Sequence, residues 1–386
     1  MSTTTSAGTS AGASADRLAR VALNAAAEPG DMVFTGLVDE LGAAELVRTL
    51  TENPDHSDLL SAVAGRLARV DPAGVLERAD AAGYRFLTPE DDEWPAGLAD
   101  LGAAGAVNER GGVPIGLWAR GPRRLDELAA GLAVVGARSA TSYGDRVAGD
   151  LAAVVGQAGF PVVSGAAYGI DHAAHRGALA AGAPTLAVLA CGVDRCYPLA
   201  HRPLLEHLAA EHLVISEAPP GAAPHRVRFL ARNRLIAALS RGTVVVEAAV
   251  RSGALNTLNW AQRMHRVTMG VPGPVTQATS EGVHHQIRTG GATLVTGGQD
   301  VLELIGAAGS HLLEEPRAEP AARDRLRVRQ RQVLDAVPVA RPATAGSIAL
   351  VAGLAVTEVY RTLRHLQEHG FVEHTRGGWR LATNAP

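Results

Sequence analysis

The sequence is poor in cysteine and contains no lysine. Its 386 residues include two cysteines, Cys191 and Cys196, which are too few for a disulfide scaffold or a four-cysteine zinc site. We expect both thiols to pack in an apolar core rather than to form a redox pair. Every basic side chain other than histidine is arginine, and the 43 glycines and abundant alanines point to a GC-rich genome as the simplest cause.

The sequence also lacks long hydrophobic runs. None approaches the roughly 18 residues that cross a bilayer, so we predict that this is no membrane protein. Residues 1–15 have neither a basic start nor an apolar block, so they predict a disordered tail rather than a secretory signal. Together with the scarce cysteine, this favours the cytoplasm. With 47% apolar and 19% charged residues, the chain is long enough for two or three globular domains.

The charge is unevenly distributed along the chain. The formal net charge is −3, but residues 218–280 contain eight arginines and a single acid, Glu247. That basic segment carries +7, so the remaining residues carry −10. One interpretation is an anionic partner bound at one face of the protein. The other is that these arginines pair with acids from elsewhere in the fold, and charge alone does not separate the two.

The hydrophobic pattern divides the chain into successive regions. Residues 16–83 have helical periodicity and predict a small helical domain, and residues 84–130 predict an extended connector with one strand near 114–119. From 131 to 306, apolar runs alternate with alanine-rich helical stretches, which predicts a doubly wound parallel sheet. The expected strands are 132–136, 161–164, 185–190, 213–216, 243–247, 266–271 and 292–296.

The C-terminal part has a different pattern. Residues 307–324 are rich in Ala, Glu and Pro and predict a linker. Residues 325–386 predict helices near 326–337, 344–351 and 356–369, followed by a hairpin that turns at Arg376-Gly377. Three helices and a β-hairpin are typical of a winged helix.

Glycines, hydroxyl groups and arginines follow the predicted strands. Parallel strands present their carboxyl ends at one edge of the sheet, where ligands of such folds bind. Backbone amides and hydroxyl groups at helix starts, with arginines beside them, favour phosphate binding. We expect Arg232-Asn233-Arg234 to lie at a helix start. The spaced glycines of the dinucleotide fingerprint are missing, which argues against a Rossmann-type dinucleotide cofactor. The P-loop lysine is missing as well, which excludes a P-loop nucleotide triphosphatase.

Four ionisable residues in this region allow a structural or a functional interpretation. Asp171 is a helix cap or a base. Glu247 either orients Arg232 or Arg234 or has a catalytic role. We expect His172 and His175 to pack or cap rather than to bind a metal, because no third ligand is evident.

Residues 132–306 resemble the DNA-processing protein A family, known as DprA or Smf. The resemblance rests on motifs whose order and spacing agree over about 175 residues. These motifs are VVGARSATSYG (134–144), SGAAYGID (164–171), AH (174–175), GAL (177–179), CGVDRCYP (191–198), SEAPPG (216–221), RFLARNRLIAALS (228–240), VVVEAAVRSGALNT (244–257) and VPG (271–273).

The resemblance implies a fold and a function. The fold is an extended Rossmann-like doubly wound parallel sheet over residues 84–306, with a small SAM-like helical domain before it and a winged helix after it. The function is binding of single-stranded DNA during natural transformation and recombination. Members protect incoming single strands, load the RecA recombinase and act as homodimers. No catalytic activity, cofactor or metal is implied.

The family's DNA pocket can be transferred to matching positions of this sequence. Tyr168 stands where the family often has Arg or Lys, so one cation is missing there, and its ring offers a surface on which a base can stack. Tyr143, Tyr197 and Phe229 are further candidates for stacking. The expected DNA-binding residues are Arg138, Ser139, Ser164, Gly165, Tyr168, Gly169, Asp171, Arg232, Asn233, Arg234, Ser252 and Gly253.

Two other functions remain open from the sequence. The first is a nucleotide hydrolase of the phosphoribohydrolase type, with Glu247 or Asp171 as its carboxylate, although residues 271–281 lack the PGGxGTxxE signature of those enzymes. The second is a transcription regulator in which the winged helix reads duplex DNA with its third helix and the sheet senses a ligand. That helix carries two arginines, Arg361 and Arg364, and two glutamates, Glu358 and Glu368, so its charge is balanced.

Overall fold

The computed structural model divides the chain into two compact units, residues Met1–Leu313 and Glu314–Pro386. It describes residues 6–52, 58–312, 322–383 and 385. The boundary between the units falls within the predicted linker, of which residues 313–321 lie outside the described residues. Residues 1–5 of the predicted tail also lie outside them.

The first unit opens with helices. The prediction of a disordered tail over residues 1–15 is wrong from Ser6 onward, because the first helix begins there. Leu23, Phe34, Leu46 and Leu50 form the core of this helical region. The helices described here are α1 (Ser6–Ala26), α2 (Met32–Leu41), α3 (Ala43–Glu52), α4 (Asp58–Leu67) and α5 (Pro72–Ala81).

A nine-stranded sheet forms the centre of the first unit. Its order is β1-β2-β6-β5-β4-β3-β7-β8-β9, and the strands from β6 to β9 in that order are parallel. All seven predicted parallel strands are present. The connector holds two strands, β1 and β2, which add an antiparallel edge to β6 and of which the sequence predicted one. The strands are β1 (Tyr84–Leu87), β2 (Leu117–Arg120), β3 (Gly131–Val135), β4 (Val162–Ser164), β5 (Thr185–Leu189), β6 (Leu213–Ser216), β7 (Ser240–Val245), β8 (Val267–Gly270) and β9 (Thr293–Leu294).

Helices cover both faces of the sheet, as a doubly wound fold requires. Alternate residues of each strand point to opposite faces, so Val134 packs with α7, α8 and α13, and Val135 packs with α10, α11 and α12. Two short 3-10 helices, of seven and three residues, lie at Ala96–Gly102 and Leu199–His201. The α-helices are α6 (Leu125–Leu128), α7 (Ser142–Gln157), α8 (Ile170–Ala180), α9 (Arg202–Glu211), α10 (Arg226–Ala238), α11 (Gly253–Arg263), α12 (Ala278–Arg288) and α13 (Gly298–Ile305).

Buried polar contacts join the N-terminal helices to the sheet. The side chain of Asn24 on α1 accepts a hydrogen bond from Trp118 Nε1 at 2.8 Å and donates to the Glu217 carbonyl at 2.7 Å. Trp118 lies on β2 and is fully buried, while Glu217 directly follows β6. Because an unpaired buried amide would destabilise the fold, these bonds fix α1 against the sheet edge.

The second unit contains the elements that the sequence predicted for it. Helices α14 (Val328–Ala336), α15 (Ala345–Ala352) and α16 (Val356–Glu368) precede the antiparallel hairpin β10 (Val372–Thr375) and β11 (Gly378–Leu381). Gly353 ends α15 in the left-handed conformation that glycine adopts without strain. The described elements match the order of a winged helix, and that classification stays a prediction.

Across the described part of the chain, no single helix is long and apolar enough to span a membrane, and the pair α15 and α16 passes that test only when joined across a bend of 105°.

His175 is buried within the α/β core without a charged partner. Its Nδ1 lies 2.8 Å from Thr185 Oγ1, which itself donates to the Val162 carbonyl. Thr185 therefore accepts from His175, so Nδ1 carries the proton, and Nε2 is buried with no partner among the described residues. Burial lowers the pKa of His175 to about 3. The prediction that His175 packs rather than binds metal fits this position.

We expect His175 to make the protein less stable in mild acid. The unfolded chain binds a proton at His175 below about pH 6.5 and the folded chain does not, so the free energy of unfolding decreases as the pH falls. Between pH 6.5 and pH 5 the loss from this residue is about 1.5 kcal/mol. Urea denaturation at both pH values should show a smaller decrease for His175→Gln than for the wild type. An equal decrease in the two proteins would contradict the assignment.

Candidate functional site

A large cavity lies at the carboxyl edge of the parallel strands. We call it the edge cavity, and its volume is about 790 Å³. It lies between the segment that follows β3 and the segment that follows β7, where the strand order reverses and where ligands bind in doubly wound sheets. Its walls include Asn108, Arg138, Asp171, Tyr197, Arg226, Phe229, Arg232, Asn233, Arg251, Ser252, Gly253 and Asn256.

Helix α10 forms one wall of the edge cavity. The prediction that this helix starts near Arg232 is wrong, because it begins at Arg226. Residues spaced by three, four and seven lie on one face of a helix, and Arg226, Phe229, Asn233 and Ile236 all line the cavity. Each residue turns the helix by about 100°, so residues two apart point in nearly opposite directions. The three residues of Arg232-Asn233-Arg234 therefore cannot share one face.

Arg234 points away from the edge cavity. It is fully buried and makes a two-pronged ion pair with Glu217, whose oxygens lie 2.6 and 2.7 Å from the guanidinium nitrogens. It also donates to the carbonyls of Gly112 and Ala231. Both charges are satisfied by these contacts, so Arg234 acts in the core rather than as a free cation at the cavity.

Arg232 contributes a buried guanidinium to the cavity wall. Its Nη1 donates to the Val188 carbonyl at 3.0 Å, and a side chain at position 165 would overlap the same nitrogen. Gly165 therefore leaves room for Arg232. This structural role differs from the DNA-binding role expected for Gly165 from the sequence. Asp171 is the acid whose charge supports that of Arg232.

Asp171 organises the loop that follows β4. Its Oδ2 accepts hydrogen bonds from the amides of Gly165 at 3.2 Å and Ala167 at 3.4 Å. Burial raises the pKa of Asp171, and the nearby Arg232 and the two amides act in the opposite direction. Gly169 has φ of +73° and lies so close to the Ala137 carbonyl that a side chain there would clash. The carboxylate therefore holds the loop rather than capping its own helix.

Aromatic rings and guanidinium groups meet at one end of the edge cavity. The Tyr197 and Phe229 rings lie 5.6 Å apart, and the guanidinium of the exposed Arg138 lies 4.9 Å from the Phe229 ring centre. Tyr197 is 42% exposed. An exposed ring beside a cation offers a stacking surface and a phosphate contact in the same place.

Tyr168 lies in a narrow slot of about 20 Å³ beside the edge cavity. Its ring is 48% exposed and meets His201 edge-on at 4.8 Å, and His201 in turn stacks on His172 at 4.3 Å. The slot shares Arg138, Tyr197 and Phe229 with the cavity. The ring of Tyr168 is therefore placed next to the other aromatic side chains, with one edge against protein and the rest open.

Polar groups on the opposite wall come from α11. Ser252 caps this helix by accepting from the Ala254 amide, and it lines the cavity together with Gly253. Asn233 donates to the Gly253 carbonyl and to Asn256 Oδ1, each at 3.3 Å. Asn256 donates to Asn108 at 2.9 Å. This chain of amides fixes the wall on which Ser252 and the helix start are presented.

Glu247 does not lie at the cavity and contacts neither Arg232 nor Arg234. It is 1% exposed, and its oxygens accept from the Thr141 amide at 2.9 Å and the Thr141 hydroxyl at 2.6 Å. The interpretation that Glu247 orients Arg232 or Arg234 is therefore wrong. The carboxylate holds Thr141, the residue before α7. In the first turn of α7, a side chain at Gly144 would collide with this carboxylate.

Six of the eight arginines of the basic segment fall into two groups. Arg228, Arg234 and Arg266 form ion pairs with Glu28, Glu217 and Asp100, which come from other parts of the first unit. Arg226, Arg232 and Arg251 line the edge cavity, and within the described residues none of them forms an ion pair. The segment thus contains arginines that pair with distant acids, and three of its arginines without an ion pair lie together at the cavity.

No cluster of three or more metal-binding side chains exists among the described residues. Cys191 and Cys196 are free thiols, and burial raises the pKa of Cys191 to about 11. A thiol with so high a pKa is protonated and unreactive at neutral pH. Cys191 packs among Leu189, Leu205 and Leu208, in agreement with the expected apolar environment.

The structure gathers half of the predicted site residues in the edge cavity, namely Arg138, Asp171, Arg232, Asn233, Ser252 and Gly253. Gly165 and Tyr168 line the adjoining slot. Ser139, Ser164, Gly169 and Arg234 line neither, and Ser164 is buried with its hydroxyl donating to the Val134 carbonyl. The prediction did not include four residues that line the edge cavity, Asn108, Arg226, Arg251 and Asn256. The two arginines among them belong to the basic segment of residues 218–280, and this charge pattern could have identified them.

Comparison with known proteins matches residues 85–306, more than half of the chain, to the family named DNA recombination-mediator protein A. The chain belongs to this family. A Mycobacterium tuberculosis member, named provisionally as DNA processing protein DprA, is 43% identical over 362 residues, covering 93% of this chain and 92% of its own. The DNA processing protein DprA of Streptococcus pneumoniae is 37% identical over 252 residues, covering 65% of this chain and 88% of that protein.

The X-ray structure of DprA from Streptococcus pneumoniae superposes with a TM-score of 0.61 at 31% identity, covering 73% of this chain and 95% of that one. The predicted resemblance to DprA and the Rossmann-like α/β fold are therefore confirmed. Membership in the recombination-mediator family makes this a DNA-processing protein of recombination.

We expect that breaking the buried ion pair between Arg234 and Glu217 by removing one partner destabilises the protein strongly. Glu217→Gln leaves a buried guanidinium without a counter-charge and should lower the free energy of unfolding by about 3–5 kcal/mol. The double variant Arg234→Met with Glu217→Leu removes both charges and should recover much of the loss. Chemical denaturation of the three proteins measures this. A single variant as stable as the wild type would show that the pair contributes little.

Proposed function

We propose that the edge cavity binds single-stranded DNA and that the protein acts on such strands during recombination and natural transformation. The observation that carries the proposal is the presence of unpaired arginines and half-exposed aromatic rings in one cavity. Sequence-independent binding of single strands uses this combination, because cations contact the phosphates and rings stack on any base. Membership in the recombination-mediator family supports the assignment.

The roles of the wall follow from its chemistry. Arg138, Arg226 and Arg251 reach the surface and are placed to contact phosphate oxygens, while Arg232 adds a fixed charge deeper in the wall. Ser252 and the start of α11 offer amide and hydroxyl donors to a further phosphate. Tyr197 and Phe229 supply rings to bases, and Tyr168 extends that surface. Arg234, Ser164 and Gly169 hold the scaffold.

The wider role follows the family resemblance. We infer that the protein protects incoming strands in the cytoplasm and transfers them to the RecA recombinase as a homodimer without catalysing a reaction. The positions of two carboxylates support a binding role. Glu247 is tied to Thr141 away from the cavity, and Asp171 accepts from two loop amides beside Arg232, so the contacts that both carboxylates make are structural.

Neutralising the cavity arginines should weaken binding to single strands. Arg226→Gln and Arg251→Gln should each lower the affinity for oligo-dT roughly tenfold at low salt, because each removes a charge-assisted phosphate contact. Each loss should also reduce the slope of log affinity against log salt by about 0.7. Fluorescence anisotropy with labelled oligo-dT across a salt series measures both quantities.

The matched control for these variants is Arg263→Gln. Arg263 belongs to the same basic segment and is exposed, but it bonds to the Ala104 carbonyl and does not line the edge cavity. It should retain wild-type affinity. A matching duplex should bind more weakly than oligo-dT. Preference for duplex would instead favour a regulator that acts through the second unit, and cavity variants with unchanged affinity for single strands would refute the proposed site.

Removing the exposed ring should weaken binding without changing its salt dependence. Tyr197→Ala deletes a stacking surface worth about 1–3 kcal/mol per base, so affinity should fall about fivefold or more. Tyr197→Phe keeps the ring and should bind like the wild type. The salt slope should be the same for all three proteins, because no phosphate contact is lost. A reduced slope in Tyr197→Ala would indicate that the residue positions a cation instead.

A further inference from the structure

A second basic cavity adjoins the first. We call it the side cavity; its volume is about 500 Å³, and it lies by the segment between β5 and α9. Its cationic side chains are Arg120, Arg195 and Arg202, and none belongs to the basic segment of residues 218–280. Tyr197 and Pro224 line both cavities, so the two are neighbours across a shared wall.

The three arginines of the side cavity are available for a ligand. Arg195 and Arg202 are exposed, and within residues 58–312 none of the three forms an ion pair. Arg120 lies over the Tyr84 ring at 5.8 Å and only reaches the Val193 carbonyl at 3.5 Å. Cations that are not engaged in ion pairs are free to contact an anionic ligand, because no existing ion pair must be broken.

Two acids also line the side cavity, and they limit its net charge. Asp194 accepts from the Gly221 amide at 2.8 Å, so its role is to hold the loop that carries Pro224 nearby. Glu206 is exposed and makes no ion pair with Arg202, four residues earlier on α9. The cavity therefore has a modest positive excess that suits a backbone of spaced phosphates better than one compact, highly charged anion.

We propose that the side cavity binds the nucleotides that follow those in the edge cavity, so that one single strand passes over Tyr197 from one to the other. This inference rests on the proposed function. It assigns Arg195 and Arg202 to phosphates that a short strand does not reach. It also gives Tyr197 a position between two cationic sites, where its exposed ring contacts the base at the crossing.

Strand length separates the two cavities experimentally. We suggest measuring anisotropy with oligo-dT of about 4 and about 12 nucleotides, since only the longer strand can occupy both sites. The double variant Arg195→Gln with Arg202→Gln should bind the short strand like the wild type. It should bind the long strand about tenfold more weakly, with a salt slope lower by about 1.4 for two lost phosphate contacts.

Two further variants make the test specific. Arg69→Gln with Arg78→Gln removes two exposed charges that line neither the edge cavity nor the side cavity, and it should change neither affinity. Glu206→Gln removes an acid from the side cavity and should raise the affinity for the long strand about threefold while leaving the short strand unaffected.

The results separate failure of this inference from failure of the proposed function. If the long strand binds the double variant as tightly as the wild type, or if both lengths weaken equally, the side cavity does not extend the path. In that case the edge cavity still binds DNA. If the wild type binds neither length, the proposed function fails and the extended path fails with it.

Discussion

The ion pair between Arg234 and Glu217 is the contact on which the arrangement of the site depends. It fixes the face of α10 that carries Arg234 against the segment between α1 and α2. In that segment the Gly30 amide donates to Glu217, and Ala231 of α10 lies against Gly30. A rigid helix with one face fixed must direct its opposite face elsewhere. That opposite face carries Arg226, Phe229 and Asn233 into the edge cavity.

The same helix shows how a cluster of like charges in a sequence is divided by folding. Arg228 pairs with Glu28, and Arg234 pairs with Glu217, so these two arginines join α10 to the N-terminal helices and the end of β6. Arg226, at the start of the helix, and Arg232, between the two paired arginines, form no ion pair and line the cavity. An excess of charge that is visible in the sequence thus serves both assembly and ligand binding, and only the helical phase decides which residue does which.

Most of the fold followed from the sequence because its signals were local and repeated. The central parallel strands β3 to β6 are apolar runs buried on both faces, and the segments after them carry glycines and polar residues of the edge. Strand β1, with the sequence YRFL, was missed because four residues give no clear alternation and its pairing with β2 is not local. The start of α10 was misplaced because residues 218–225 contain prolines and no helical capping residue marks Arg226.

The site was harder to predict than the fold, since it depends on contacts between distant residues. Glu247 looks like a carboxylate at a ligand edge, yet Thr141, which lies 106 residues earlier, accounts for both of its oxygens. Gly165 resembles a glycine of a phosphate-binding loop, yet the absence of its side chain makes room for Arg232.

The wall of the edge cavity is consequently built from buried groups that satisfy one another, namely Asp171 with its two amides and Asn233 with Gly253 and Asn256. Groups already satisfied in this way do not rearrange when a ligand enters, so the backbone segments that carry the exposed cations keep their positions. A preformed row of cations loses little conformational entropy on binding, and this favours a flexible single strand, which adapts its backbone to the row, over a stiff duplex.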